Sequence, residues 1–440
     1  MESVRRRGYG PASAVVGERG GHTRERILTV ALNRFAARGL SAVSVQEITR
    51  EVGVSRASFY QYFSGKDQIL LELREECGSA AREFVATLHG LGPTREGFVV
   101  LRQWIEGWAP IYDRYLPIFA EWAVIGVDGQ RGTSPLTDTI TALHQQLAAI
   151  LRNEEAVSLD SMHASIVLTN LILRFNFTLH RSGAIETRSE LGYFLAVMVQ
   201  LLLFPGTPPE AVCPRADEPP EWVTRRVPPP PEERKRSGGF EARFGGLSAR
   251  AAGTVRALLS STLRALTEVG YDRAQVDEIA ADAEVTRTTL YKYFDEKLDL
   301  LLALSEECSY ELAADARRFG RLDPVTDHDG TQLRRWVRDS FSLHDRYRAV
   351  YRTWIDRSPA HADLDVMRRQ VVDDMRWALH TTLSDLPRRY PLDVRVAHIL
   401  LVTLIEEVPA AFAANGLPVD REEQTELFSL MIERALFARA

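Results

Sequence analysis

The residues of this chain that could carry chemistry do not form a catalytic set. No nucleophile stands beside a base, and the GxSxG, HExxH and glycine-rich phosphate-binding patterns are absent. The three cysteines (Cys77, Cys213 and Cys308) are an odd number without a CxxC pair, so they cannot build a disulfide framework or a structural zinc site. We therefore expect a non-enzymatic protein of the reducing cytoplasm, without a metal or another cofactor.

The polar residues of 22–66 instead suit a helix-turn-helix. A first helix precedes Ser44, which forms an S-x-x-E capping box with Glu47 at the start of the second helix. That helix is expected to stop before Gly53, and a short third helix starts at Ser55. In such a pair, the helix after the tight glycine turn enters the DNA major groove with its amino end first.

This pattern occurs twice. The segment VSRASFYQYFSGKDQILLELREEC at 54–77 returns as VTRTTLYKYFDEKLDLLLALSEEC at 285–308, with 12 identities in 24 positions. The similarity continues between 101–122 and 333–354. There the aligned aromatic pairs are Trp104 with Trp336, Tyr115 with Tyr347 and Trp122 with Trp354. Because the similarity extends beyond the motif, we infer that a whole unit is duplicated.

A proline-rich segment separates the two copies. Ten prolines fall between Pro205 and Pro231, and Gly238 and Gly239 follow, which is typical of a linker of mixed stiffness. Elsewhere apolar residues recur at spacings of three and four, which predicts an all-α fold. The predicted division is a basic tail (1–21), a first helix-turn-helix domain (22–78), a helical domain (79–204), the linker (205–246), a second helix-turn-helix domain (247–309) and a second helical domain (310–440).

Composition fits a soluble globular protein with local binding sites. The 440 residues are 45% hydrophobic and 26% charged, and the net charge of −6 does not indicate a nucleic-acid partner for the whole chain. Residues 1–66, however, hold 11 basic and 5 acidic side chains, whereas 250–297 hold 7 and 8. The apolar runs at about 164–179 and 191–204 are shorter than the roughly 20 residues of a membrane span, so no membrane insertion is expected.

The run SVQEITREVGVSRASFYQYFSGKDQIL at 44–70 resembles the tetracycline-repressor (TetR) family of bacterial regulators in order, spacing and residue type. The resemblance covers about 22–204 and again about 247–440. It implies an all-α chain of two tandem TetR-like units. Each unit would have a three-helix helix-turn-helix DNA-binding domain followed by a helical ligand-binding and dimerisation domain.

Transferred residue by residue, the resemblance implies DNA contacts from both copies. Arg56 takes the place of a recognition-helix side chain that reaches base edges, and arginine there suits a bidentate contact with guanine. Arg287 is its counterpart. The positions implied to contact phosphates are Ser44, Ser55, Ser58, Tyr60 and Lys66 in the first copy and Thr286, Thr289, Tyr291 and Lys297 in the second, with Lys292 retained beside them.

The second copy departs from the pattern at two positions. Gln275 replaces the capping serine and Glu284 replaces the turn glycine. A left-handed backbone at Glu284 would cost about 1 kcal/mol. Two interpretations therefore stay open for the second helix-turn-helix, which either binds DNA or is only structural.

The resemblance also implies an effector pocket in the helical domains. The candidate ligand-binding residues of the first copy are Trp104, Trp108, Tyr112, Phe119, His163 and Asn170. Aromatic residues at helical spacing equally suit a packed core, so both interpretations stay open. A pocket with this composition would be mostly apolar and would take a small lipophilic effector.

The last two helices of each copy are expected to form the four-helix interface typical of the family. Alignment of the copies places Arg174 opposite Glu407, next to Glu406. Opposite charges at equivalent positions favour pairing between the copies over self-pairing, because like charges at a homotypic interface are disfavoured. The alternative is that these are unrelated, solvated charges.

Together these features predict a cytoplasmic bacterial transcriptional regulator, expected to be a repressor. Its two modules would pair within one chain on an imperfect inverted repeat of double-stranded DNA, and an effector would release them. Further pairing of two chains stays open. The alternative is a ligand- or protein-binding scaffold in which one or both DNA-binding modules are degenerate.

Overall fold

The computed structural model describes most of the chain. The described residues are 18–40, 42–119, 135–154, 157–213, 239–357, 361–384, 386, 390–417 and 420–438. Most of the basic tail, the central part of the linker and Trp122 lie outside this set. All regular secondary structure within it is helical, which confirms the predicted all-α fold class.

The first module consists of a small three-helix domain and a larger helical domain. Its helices are α1 (Glu18–Arg38), α2 (Val45–Val52), α3 (Arg56–Tyr62), α4 (Lys66–Val85), α5 (Arg95–Arg114), α6 (Pro135–Arg152), α7 (Ser161–Ser182), α8 (Arg188–Leu203) and the short α9 (Pro209–Val212). The small domain has a core that includes the buried side chains of Ile48 in α2, Phe59 in α3 and Phe63, which directly follows α3. Fixing these apolar side chains sets the angle between α2 and α3.

The second module repeats this order. Its helices are α10 (Gly239–Phe244), α11 (Ala249–Arg273), α12 (Val276–Asp282), α13 (Arg287–Leu290), α14 (Lys297–Phe319), α15 (Thr331–Arg357), α16 (Ala362–Ser384), α17 (Val394–Val402), α18 (Val408–Ala414) and α19 (Arg421–Phe437). A π-helical turn, Thr403–Glu407, joins α17 to α18. Glu406 and Glu407, which take part in the domain contact described below, lie at the end of this turn.

Both ends of the predicted linker are ordered and belong to the modules. Residues 205–213 pack on the first module, where the Arg95 guanidinium donates to the Cys213 carbonyl at 2.9 Å and Val212 is buried. At the other end, Phe244 of α10 packs against Phe294 of the second helix-turn-helix domain. Residues 205–213 and 239–246 of the predicted linker therefore belong to the two modules.

The two modules share one hydrophobic core. The buried side chains of the first module continue without interruption into those of the carboxy-terminal helices of the second, through Leu400, Phe412 and Phe428. The helices that meet are α7 and α8 of the first module with α17, the π turn, α18 and α19 of the second. The second helix-turn-helix domain has a separate core around Phe294.

Polar contacts cross the same boundary. The Tyr390 hydroxyl donates to the Thr207 carbonyl at 2.6 Å, and Arg434 Nη1 donates to Ser158 Oγ at 3.1 Å. The Asn415 amide lies 3.0 Å from His144 Nδ1, and burial lowers the pKa of His144 to about 4. The modules are therefore joined by packed and hydrogen-bonded surfaces as well as by the linker.

One stretch of the described chain is long and apolar enough to cross a membrane. It is Val394–Ala414, with a mean hydropathy of 1.7, and just over half of its most apolar window is buried inside the protein. Its position between the modules explains the apolar composition, because both sides of α17 pack against other helices.

Candidate nucleic-acid interface

Ser44 starts α2 with the capping box that the sequence predicts. The backbone amide of Glu47 donates to Ser44 Oγ at 3.3 Å, and the backbone amide of Ser44 donates to Glu47 Oε2 at 2.8 Å. The Glu47 carboxylate also accepts from the Ser44 hydroxyl at 3.0 Å. The bonds from the Ser44 amide and hydroxyl, together with the ion pair with Arg38, lower the pKa of Glu47 to about 2. The first turn of α2 is thus held by reciprocal hydrogen bonds.

Helix α3 presents an arginine and a tyrosine to solvent. Ser55 caps it by accepting from the backbone amide of Ser58 at 3.0 Å, which fixes the start of the helix. Arg56 follows at the first helical position, is exposed, and has no hydrogen-bond or ion-pair partner among the described residues. Tyr60, one turn further, is 52% exposed. This helix end therefore offers an unpaired guanidinium and a phenol.

The equivalent arginine of the second module is engaged. Thr286 caps α13 by accepting from the amide of Thr289 at 3.1 Å. Arg287 Nη1 donates to Asp277 Oδ2 at 2.9 Å, and its guanidinium lies over the Tyr291 ring at 5.5 Å. Lys292 is exposed and unpaired within the described part of the chain. Arg56 and Arg287 thus occupy different electrostatic surroundings.

The lysines at the start of the fourth helix of each module hold backbone. The Lys66 ammonium donates to two carbonyls of the loop before α2, at 2.6 and 3.1 Å. The Lys297 ammonium donates to three carbonyls, two in the last turn of α11 and one in the loop before α12, at 2.8, 3.4 and 3.0 Å. An ammonium has three donors, so Lys66 keeps one for a phosphate whereas Lys297 must release a carbonyl first. Their phosphate contacts stay predictions.

The two turns of the helix-turn-helix units differ as the sequence suggests. Gly53 ends α2 with φ 77°, and Glu284 holds the equivalent left-handed position with φ 55°. Gln275, which replaces the capping serine, makes no side-chain cap bond to α12. The second unit therefore has a strained turn and an uncapped helix start, yet keeps the same order of helices.

Glu284→Gly is expected to raise the free energy of unfolding of the second helix-turn-helix domain by about 1 kcal/mol, because glycine adopts positive φ without a Cβ clash. Chemical denaturation of the full chain measures this change. The matched control is Glu278→Gly in the helical part of α12, where the same substitution should lower stability by about 1 kcal/mol. If the free energy of unfolding changed with the same sign in both variants, the assignment of backbone strain to Glu284 would be contradicted.

The aromatic candidates for ligand binding form one buried group. Trp104 stacks on Phe84 with ring centroids 5.6 Å apart, Trp108 meets the same ring edge-on, and Tyr112 stacks on Phe119 at 4.8 Å. Trp104, Trp108 and Tyr112 are four residues apart, which places them on one face of α5. The Trp108 Nε1 and Tyr112 hydroxyl are buried with no hydrogen-bond partner among the described residues. Packing is therefore shown, and ligand binding stays a prediction.

The two polar candidates lie on a different surface. The His163 ring packs against Phe412 of the second module at 4.8 Å, and Asn170 donates to the Ile166 carbonyl of its own helix at 2.8 Å. Spacings of seven and four put His163, Asn170 and Arg174 on one face of α7. That face is the contact between the modules, so the structure does not bring these two residues into the aromatic group.

Asp277 is the feature of the interface that the sequence analysis missed. It lies in the first turn of α12, where an acidic residue also suits the helix dipole. Alignment of the copies gives the available signal, because the equivalent residue of the first copy is the neutral Gln46. Its contact with Arg287 crosses the turn and is not visible in local patterns.

Comparison with known proteins agrees with this geometry. A family model described as bacterial regulatory proteins of the tetR family matches residues 27–73 and 258–304. The chain is 36% identical over 70 residues to an uncharacterized HTH-type transcriptional regulator, YdgC, of Bacillus subtilis (strain 168), which is 16% of this chain and 36% of that protein. It is 42% identical over 48 residues to the HTH-type transcriptional regulator SrpR of Pseudomonas putida, which is 11% of this chain and 22% of that protein. The matches thus span well under two thirds of these relatives.

A solved structure, described as a tetR-family transcriptional regulator from Streptomyces coelicolor, aligns with 44% of this chain and 91% of its own. The TM-score is 0.32 and the sequence identity is 19%.

Fold and site together define an all-helical protein with two helix-turn-helix domains. The matched segments coincide with these two domains, since 27–73 runs from α1 into α4 and 258–304 from α11 into α14. Each matched segment is a domain of the tetR family of bacterial regulatory proteins, and the chain carries two such domains in tandem modules.

Proposed function

We propose that this protein is a cytoplasmic DNA-binding transcriptional regulator whose two modules act as an intrachain pseudo-dimer on an imperfect inverted repeat. The two tetR-family domain matches support DNA binding, and the family resemblance motivates the expectation of repression. Repression is tested by placing the selected operator upstream of a reporter gene. A chain that raises expression in that assay would be an activator.

The observation that carries this proposal is the shared core of the two modules. Helices α7 and α8 contact α17, α18 and α19 of the same chain. Two-fold DNA recognition needs two helix-turn-helix units held at a set spacing, one turn of DNA apart or a multiple of it. A core that joins both modules supplies such a fixed relation within one polypeptide.

The exposed basic groups of both units support the same conclusion. Arg56 is unpaired at the amino end of α3, and Arg287 holds the same place on α13. An arginine at this end of a recognition helix suits the O6 and N7 acceptors of guanine. The excess of basic residues over 1–66 adds attraction to phosphates on the side of the first module.

Selection of DNA by the full chain tests this proposal. We expect an imperfect inverted repeat, with Arg56→Ala relaxing one half-site and Arg287→Ala the other, each by about tenfold in affinity. Light scattering of the bound complex reports its mass, which should correspond to one chain per operator. Arg152→Ala is the matched control, because Arg152 is an exposed arginine of α6, and it should leave the selected sequence unchanged.

Each departure from this result has a distinct meaning. Loss of binding with Arg56→Ala alone, in a complex of two chains, would make the second module a scaffold. Two chains with four active units would indicate further dimerisation. A wild-type chain that selects no sequence, or whose binding does not weaken with salt, would favour a protein- or ligand-binding scaffold.

The aromatic group of α5 suits an effector that is mostly apolar and carries one hydrogen-bond acceptor. Trp108 and Tyr112 hold the buried, unpartnered donors. The pKa of Tyr112 is raised, first by burial and then by the neighbouring Glu407 carboxylate of the other module. An effector bound at Tyr112 would therefore act directly at the contact between the modules. It would alter the spacing of the two helix-turn-helix units.

A saturated fatty acid such as decanoate is a suitable first probe for effector binding at this aromatic group. Titration into the operator complex should release DNA and change tryptophan fluorescence together. If the wild-type chain shows neither DNA release nor a fluorescence change, decanoate is excluded as an effector. If both responses are the same in Trp108→Phe as in the wild type, binding at this aromatic group is excluded.

A further inference from the structure

The two helix-turn-helix units, called the first and second heads below, differ in charge at one equivalent position. Gln46 and Asp277 are both the second residue of the helix that precedes the recognition helix, and both are exposed. The first is a neutral amide with donors and acceptors, and the second a carboxylate that only accepts. The second head thus carries an anion where the first carries a neutral amide.

The carboxylate lies at the reading end of the second head. Asp277 Oδ2 is 2.9 Å from Arg287 Nη1, and the two side chains are 64% and 60% exposed. The ion pair therefore joins the first turn of α12 to the first residue of α13 across the outer surface. Any DNA that approaches Arg287 closely also meets Asp277.

Base-edge chemistry gives the two residues opposite preferences. The amide of glutamine pairs with adenine through its N6 and N7, whereas a carboxylate accepts from the N4 amino group of cytosine. A carboxylate is repelled by the acceptor atoms N7 and O6 of guanine. Beside an arginine that contacts guanine, Asp277 would thus select a neighbouring cytosine.

We propose that Asp277 is a specificity-determining residue that makes the two half-sites of the operator unequal. The first half-site carries adenine at the base read by Gln46, and the second carries cytosine at the base read by Asp277, next to the guanine of Arg287. This inference rests on the proposed function as a two-headed DNA-binding protein.

A purely structural role for Asp277 makes a different prediction. The acid lies in the first turn of α12, where it interacts favourably with the helix dipole and compensates for the missing cap bond of Gln275. In that case its removal changes the stability of the domain and leaves base preference alone. The exposed ion pair itself contributes little to folding, so the substituted domain is expected to fold.

Exchange of the two residues tests the inference on the full chain. Sequences are selected from random DNA by the wild-type protein, by Asp277→Gln and by Gln46→Asp. In Asp277→Gln we expect the cytosine preference of the second half-site to give way to adenine, with about tenfold loss on the wild-type cytosine site relative to the adenine site. In Gln46→Asp the first half-site should gain the cytosine preference, and this variant does not touch α12.

Asp282→Asn is the matched control. Asp282 ends the same helix, is exposed, and pairs with Arg264 Nε at 3.0 Å away from the recognition arginine. Its substitution removes the same charge, so it should strengthen binding to all sequences through phosphate attraction without changing the selected bases. Thermal unfolding of each variant reports whether its domain is folded.

Two failures are distinguishable. Selection of the same sequence by wild type and Asp277→Gln, together with an unchanged first half-site in Gln46→Asp, overturns this inference and leaves the proposed function intact. Absence of any selected sequence with the folded wild-type chain overturns the proposed function, and the inference with it.

Discussion

Arg174→Met is expected to lower the free energy of unfolding of the joined helical domains by roughly 3–5 kcal/mol. Arg174 Nη2 lies 2.8 Å from Glu406 Oε2, and Nη1 lies 2.9 Å from Glu407 Oε1. The three side chains are 11%, 18% and 12% exposed. Among the described residues, Arg174 is the guanidinium that pairs with both carboxylates. Its removal leaves Glu407 without this cation and leaves Glu406 with the His344 imidazole at 3.5 Å, which is the costly way to break a buried ion pair.

Denaturation monitored by circular dichroism measures this loss, and light scattering reports whether chains with separated modules associate. The matched control is Arg348→Met, which removes an exposed arginine paired with Asp345 at 2.7 Å and should cost less than about 1 kcal/mol. Adding Glu406→Gln and Glu407→Gln to Arg174→Met should restore much of the stability, because the uncompensated charges are gone. Unchanged stability together with unchanged mass in Arg174→Met would contradict a role for this cluster in pairing.

This cluster shows how far the duplication alone can predict tertiary structure. The alignment of the two copies placed Arg174 opposite Glu407, and the structure shows these two side chains in an ion pair at 2.9 Å. The neighbouring contact with His344 was not predictable. It comes from α15 and depends on how that helix packs against the π turn.

The helix-turn-helix geometry was predictable from local signals. The S-x-x-E pattern fixed the capping box of Ser44 and Glu47, and the glycine position fixed the left-handed turn at Gly53 and the strain at Glu284. Such features depend on residues within one turn of helix, where sequence spacing and spatial distance agree. The fold class followed from the same apolar periodicity.

Contacts between distant segments account for what sequence reasoning did not provide. The lysines of α4 and α14 reach back more than 20 residues to loop carbonyls, a bond that no local pattern indicates. His163 and Asn170 were grouped with the aromatic candidates by composition. The rotation of α7 instead turns their face toward the second module. The contact of Asp277 with Arg287 likewise joins residues that are ten positions apart, on opposite sides of a turn.

The pH dependence of stability is expected to depend on Glu407. Burial raises the pKa of this carboxyl to about 7 from its ordinary value of 4.5, although Arg174 lowers it. Between these values the folded chain binds more protons than the unfolded chain, so this group makes stability fall as the pH rises from about 4.5 to 7. The groups around it are Arg174, Glu406, the Tyr112 hydroxyl and the nearby histidines of α15 and α17.

Glu407→Gln removes that proton uptake and keeps a side chain of similar size. From pH 5 to pH 8 the stability of Glu407→Gln relative to wild type should increase by about 2–3 kcal/mol, measured as the difference between their free energies of unfolding. His398, whose pKa burial lowers to about 3, makes stability rise with pH in both proteins, and the difference cancels its contribution. Glu106→Gln, which breaks the exposed pair with Arg102, is the control and should run parallel to wild type. Parallel curves for Glu407→Gln as well would mean that this carboxylate is ionised at every pH tested and is fully neutralised by Arg174.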